Sequence, residues 1–228
     1  MHGNKQYGSR LRWGVAALAG AMAADLAETL VDPANSGNAT KIYDASLNHH
    51  AAIVLSAGFL LLSSVLIVPG VIGVVRSLEG RARWLGRAAQ TFALLGAIGH
   101  GALAGAYLMW AAMPGGNANR AQMIDSIHRM SNSHALVMIF PLFMAFPVAL
   151  LTTFAAAVRA GKAPKWVLGI AAAALAFAIA DPVSDRFATA AALLCLIAAA
   201  GALLIRPRSK SVPGTLVPGT EVAAPAHR

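Results

Sequence analysis

Charge is what this chain has least of. Only 12% of its residues are Asp, Glu, Lys or Arg, and the mean hydropathy is +0.63. A soluble domain carries about 25% charged residues, so that class is excluded. Cysteine is nearly absent. Cys195 stands alone, which excludes an intrachain disulfide and any multi-Cys metal site, and its place in an apolar run reads as buried filler. Acids are half as numerous as bases, nine against eighteen. Neither a G-x-S-x-G nucleophile elbow nor an H-E-x-x-H zinc motif is present.

What remains is a set of apolar runs, at 12–31, 49–75, 86–113, 133–158, 166–181 and 187–205. The first and fifth are marginal, and the others reach the ~20 residues that a transmembrane helix needs. The expected fold is all-α: a polytopic membrane protein of six transmembrane helices, filling residues 1–206 as one domain. From 207 to 228 the chain is rich in Pro, Gly, Ser and Ala and contains Val-Pro-Gly-Thr twice, at 213–216 and 217–220. Such a segment cannot bury a core and reads as a disordered cytoplasmic tail.

A net charge of +9 raises nucleic acid as a partner, but its distribution points elsewhere. With the N-terminus in the cytoplasm, fourteen of the eighteen Lys and Arg residues fall on the inner side. Seven of the nine acids fall in the outer half or outer loops: Asp25, Glu28, Asp32, Asp44, Asp125, Asp181 and Asp185. The positive-inside rule then places both termini in the cytoplasm of a multi-pass protein of the cell membrane, with the lipid bilayer as partner and no nucleic acid. One alternative touches the first helix. Lys5, Arg10 and Arg12 precede an apolar stretch ending in Ala21-Met22-Ala23, which also fits a cleaved signal peptide over 1–23.

Three Trp-headed signatures recur. Arg10-Leu11-Arg12-Trp13 precedes Glu28, Arg81-Ala82-Arg83-Trp84 precedes His100, and Lys165-Trp166 precedes Asp181, with fifteen, sixteen and fifteen residues after each Trp. At ~1.5 Å per helical residue each ionisable group lies roughly 22–24 Å from its Trp, in the outer third of a bilayer core about 30 Å thick. Asn48-His49-His50-Ala51 and Asn132-Ser133-His134-Ala135 share N-x-H-A at the starts of the second and fourth helices. Together these matches predict three hairpins related as a parallel repeat.

Intramembrane ionisable residues are expensive and mark functional positions. Asp25, Glu28 and Asp32 share one face of the first helix at i, i+3, i+7, with Asp32 near its wet end. Tyr107 lies two turns beyond His100 on one face, and no Lys or Arg falls inside a span. Gly101-x-x-x-Gly105 reads as a helix-packing motif, and Pro141 and Pro147 free carbonyls at Val137 and Phe143. The leading expectation is an outer-leaflet pocket that binds a lipophilic small molecule, an isoprenoid or a lipid, or acts on it by acid–base chemistry. Its catalytic candidates are Glu28, Asp25, His100 and Asp181, and its substrate-binding candidates are Tyr107, His50 and His134.

Three alternatives stand beside it. His50 and His134 occupy equivalent repeat positions, as ligands of a haem or metal would. Six helices with His on the second, third and fourth resemble the six-helix, two-haem cytochromes b of membranes. That pattern needs His on the fifth helix as well, where this chain carries Asp181, which leaves room for one haem at most. The others are a small transporter and an accessory or scaffold subunit. Transport is disfavoured because polar residues in the inner half dwindle to Ser56, Ser63, Ser64, Thr152 and Thr153.

The topology is testable by thiol labelling in a Cys195→Ala background. A membrane-impermeant maleimide should reach Ser36→Cys in intact cells and reach Ser211→Cys only after permeabilisation. The opposite pattern would reverse the orientation.

Overall fold

The computed structural model describes residues 3–34, 38–78, 82–113, 119–180 and 186–204, with side chains omitted at 3–10, 134–137, 177–180 and 186–188. Among the described residues all regular structure is helical. Eight helices follow in order: α1 (Gly3–Val31), α2 (Ala39–Asn48), α3 (His50–Val75), α4 (Arg83–Ala112), α5 (Arg120–Ser131), α6 (His134–Arg159), α7 (Lys165–Ala180) and α8 (Arg186–Ala202). Four segments are long and apolar enough to cross a membrane: Leu11–Val31, His50–Val75, Arg83–Ala112 and Met138–Arg159. α7 and α8 are apolar but have 16 and 17 residues, short of the ~20 residues a full span requires. The 207–228 tail and Asp181 lie outside the described residues.

The two polar connections each fold into a short helix. Asn38 caps α2 by accepting from the backbone amides of Thr40 and Lys41, and Asn119 caps α5 by accepting from that of Ala121. α2 and α5 pack against each other across one end of the bundle. Arg120 on α5 donates to both Asp44 carboxylate oxygens at 2.9 and 3.1 Å, and its guanidinium lies 5.9 Å from the Tyr43 ring. Trp13, Trp84 and Trp166 mark the opposite end, all exposed.

The six apolar helices close a ring. Each packs on the next in the order α1, α3, α4, α6, α7, α8, and α8 packs back on α1. Outward faces are hydrocarbon: Val54, Leu61 and Val65 on α3, Leu94 and Ile98 on α4, and Met138 and Phe140 on α6. Cys195 lies on such a face of α8 and is exposed, contrary to the buried position expected of it. An apolar neighbourhood at that position is equally satisfied by an outward face, and sequence hydropathy does not tell the two sides of a helix apart.

Lipid tails are as apolar as leucine, so helices in a membrane associate through close packing. Glycine makes two of these crossings possible. A Cβ on Gly14 would meet the Gly73 backbone at 2.6 Å, and one on Gly70 would meet the Leu18 amide nitrogen at 2.7 Å, which presses α1 onto α3. A Cβ on Gly96 would lie 2.8 Å from the Phe146 backbone, and Gly99 faces the backbone of Leu142 and Phe143 in the same way. The seam between α4 and α6 is therefore Gly96-x-x-Gly99. At Gly101 and Gly105, read from the sequence as a helix-packing motif, an added Cβ would meet nothing within 4 Å. The α6–α7 turn uses the remaining specialised glycine: Gly161 has φ +68°, and its amide and that of Lys162 donate to the Val158 and Ala157 carbonyls.

Two apolar clusters result. One, near the Trp end, contains Leu18, Met22, Ile67, Leu150 and Phe154. The other, beneath α2 and α5, contains Ile42, Ile53, Leu60, Trp110 and Ile127. Gly99→Ala should destabilise the bundle by about 1–3 kcal/mol through overpacking at α6. Gly101→Ala should be neutral or slightly stabilising, because it meets open space and favours helix. Thermal unfolding of both variants in one detergent checks the pair, and equal midpoints would refute the assigned seam.

Candidate functional site

Between the two apolar clusters lies a cavity of about 320 Å³ to which all six apolar helices contribute. That volume is at the lower end of the ~300–1,000 Å³ usual for small-molecule sites. Its polar wall comes from α1 and α4: Asp25, Glu28, Thr29 and Asp32 face His100 and Tyr107. Apart from Thr189 of α8, its other walls are hydrocarbon, including Leu60 of α3, Phe143 and Phe146 of α6, Leu175 of α7 and Leu196 of α8. Among the described residues no Lys or Arg lines it.

The polar wall is built by matching periodicities. Asp25 and Asp32 are seven residues apart on α1, and His100 and Tyr107 are seven apart on α4. Both helices run from the Trp end toward the α2/α5 end, so two turns of each, about 10 Å, lie side by side across the interior. The result is two rungs. His100 Nε2 is 3.4 Å from Asp25 Oδ2, and the Tyr107 hydroxyl donates to Asp32 Oδ2 at 2.8 Å. Glu28 lies between the rungs, beside the Tyr107 hydroxyl.

His100 is buried, with Nδ1 3.0 Å from the Gly96 carbonyl oxygen and its ring 4.7 and 4.5 Å from the Phe143 and Phe146 rings. A carbonyl only accepts, so Nδ1 carries a proton. Nε2 faces Asp25 Oδ2, so a proton carried by either group lies within reach of the other. Asp25 Oδ1 is buried and receives no hydrogen bond from the described residues. Leaving a buried carboxylate oxygen without a donor costs roughly 1–3 kcal/mol or more, so Asp25 keeps unspent accepting capacity.

Asp32 differs from its sequence-based reading. Expected to be wet, it is 2% exposed. Its Oδ1 accepts from the Ala34 amide at 2.8 Å while Oδ2 takes the Tyr107 hydroxyl. The Asp32-Pro33 pair at the end of α1 is a turn signal, and the carboxylate is folded inward to close that turn. With both oxygens engaged, Asp32 positions Tyr107.

The other sequence candidates separate. Asp25, Glu28, His100 and Tyr107 are brought together. His50 lies outside the cavity lining, with Nδ1 3.1 Å from the Ala111 carbonyl, tying α3 to the end of α4. His134 begins α6, with its side chain outside the described residues, and Asp181 lies outside them altogether. Among the described residues no three His, Cys, Asp or Glu side chains converge as a metal site requires. Sequence reasoning missed Phe143 and Phe146 as His100 partners. The available signal was Pro147, which leaves the Phe143 carbonyl without its helical donor on a cavity wall.

No family model, curated protein or solved structure matches this chain.

Tyr107→Phe should cost about 1–3 kcal/mol of stability by leaving buried Asp32 Oδ2 without its donor. In a double-mutant cycle with Asp32→Asn the two effects should fall short of additivity. Additive losses in thermal or denaturant unfolding would show that the rung contributes nothing.

Proposed function

We propose that this protein is a six-span integral membrane protein that binds a lipophilic small molecule in its interior and acts on it by acid–base chemistry. One observation carries the reading: a cavity whose polar wall holds a His–carboxylate pair and whose remaining walls, Thr189 apart, are hydrocarbon. A soluble substrate would not need the second feature, and a purely structural ion pair would not need the first to border open space.

In this reading the spans are α1, α3, α4, α6, α7 and α8, paired as the hairpins α1–α3, α4–α6 and α7–α8 of one parallel repeat. Support comes from the packing of each pair and from the Trp that heads the apolar run in the first helix of each. Both termini face the cytoplasm, and the α2/α5 end faces out. The cavity then communicates with the outer side. Toward the Trp end it is backed by fully buried Leu18, Met22, Ile67 and Phe154. That apolar floor favours a one-sided pocket over a through-pathway.

The roles follow from the contacts. Asp25 and His100 form the proton-exchanging pair, since their side chains lie 3.4 Å apart and both residues line the cavity. Glu28 is the second carboxyl, one helical turn away. Tyr107, held by Asp32, orients Glu28. Phe143 and Phe146 sandwich the imidazole and keep it from bulk water. A site walled mainly by hydrocarbon strengthens every electrostatic contact in it.

Acid–base chemistry leaves an isotopic trace even where the product is unknown. Purified protein in nanodiscs, incubated in D2O with a total membrane lipid extract, should place deuterium on carbon in one component. Asp25→Asn and His100→Ala should each lower that exchange by at least ~10²-fold, the usual scale of a general acid–base contribution. If no component gains deuterium with the unaltered protein, the catalytic reading is overturned.

A further inference from the structure

The cavity wall is richer in acceptors than in donors, although the Thr189 hydroxyl of α8 also lines it. The His100 Nδ1–H is spent on the Gly96 carbonyl, the Tyr107 O–H on Asp32, and the Thr29 O–H on the Asp25 carbonyl at 2.9 Å. When Nε2 of His100 is protonated, that N–H faces Asp25. Acceptors, by contrast, remain. Asp25 Oδ1 is buried and takes no hydrogen bond from the described residues, and the Phe143 carbonyl has lost its helical donor to Pro147. Both residues line the cavity, as does the Glu28 carboxyl, with no Lys or Arg among the described lining residues.

Such a wall discriminates by head group. A carboxylate or phosphate brings only acceptors and negative charge, and here it would meet three carboxyls in a medium that screens poorly. A hydroxyl brings one donor. A protonated amine brings up to three donors and the charge that the wall lacks. An inorganic cation is disfavoured, since no three potential ligands converge among the described residues. Phe143 and Phe146 add aromatic faces, which favour an organic cation further. The cavity volume of about 320 Å³ suits a compact, drug-sized molecule with a hydrocarbon portion.

We infer that the occupant of this cavity is a lipophilic amine, bound as its ammonium form by Asp25 and Glu28 with its hydrocarbon part against α6, α7 and α8. This inference rests on the pocket reading above and narrows it to one head-group class. The ligand's charge offsets the excess of carboxyls that the hydrocarbon surroundings otherwise make costly.

The test uses three molecules that share one chain and differ only at the head: decylamine, decanol and decanoic acid. Each is titrated into the full-length protein in phosphatidylcholine nanodiscs. Binding is read by native mass spectrometry and by the shift in unfolding temperature. Decylamine should bind at least tenfold more tightly than decanol, and decanoic acid should not bind. In Asp25→Asn/Glu28→Gln the preference for the amine over the alcohol should fall to about one. Equal binding of amine and alcohol to the unaltered protein would overturn the amine assignment and leave the pocket standing. A preference that persists in the double variant would overturn it too, by placing the cation elsewhere. If none of the three binds, the small-molecule pocket itself is refuted. Should the double variant fail to fold, the ranking of the three heads on the unaltered protein decides.

Discussion

The structure depends on the cost of keeping a carboxyl in hydrocarbon. Translocon measurements put an acidic residue at a helix centre at about 2.5–3.5 kcal/mol, and three of them sit on one face of α1. Each has to meet hydrogen-bond donors from elsewhere in the bundle. Asp25 meets His100, Asp32 meets Tyr107 and the Ala34 amide, and Glu28 lies beside Tyr107. These rungs join α1 and α4, two helices that are not neighbours in the ring. Their partnership is made by polar side chains across the interior, and the cavity is the space that this bridging leaves open.

Close packing elsewhere makes that geometry tenable. The glycine contacts press α1 onto α3 and α4 onto α6, so these two helix pairs hold Asp25 and His100 in fixed positions. Apolar clusters above and below then hold the polar wall between them. Ser56 and Ser63 are buried with no hydrogen bond to their hydroxyls among the described residues, whereas the buried Thr153 hydroxyl donates to the Ala149 carbonyl one turn back. Hydroxyls on helices can satisfy themselves locally in this way. A carboxylate has no donor to return to its own helix, which is why the acids and not the hydroxyls dictate the long-range pairing.

The helices were legible because hydropathy and length are local properties. All six apolar runs became helices, and the polar connections at 33–47 and 114–131 hold α2 and α5. The i, i+3, i+7 spacing of the acids and the i, i+7 spacing of His100 and Tyr107 likewise placed each set on one face. The failures share a cause. Gly101-x-x-x-Gly105 carries the same packing pattern as a true seam, yet it faces open space, while Gly96 and Gly99 meet α6. Asp32 was assigned to water by its distance from the helix centre, yet a turn at Asp32-Pro33 folded it inward. His50 matched His134 by motif, yet its ring serves the Ala111 carbonyl.

The sequence by itself determined that the chain is helical and apolar, which residues share a helix face, and that its acids and bases segregate toward opposite ends. Those outcomes follow from composition and from a period of 3.6 residues, both readable along one strand of chain. Only the tertiary structure decided which faces meet. Rotating one helix about its axis changes no local property, but it would part Asp25 from His100 and close the cavity. The choice of rotation belongs to glycine contacts and polar rungs between segments far apart in the chain, and no local pattern encodes it.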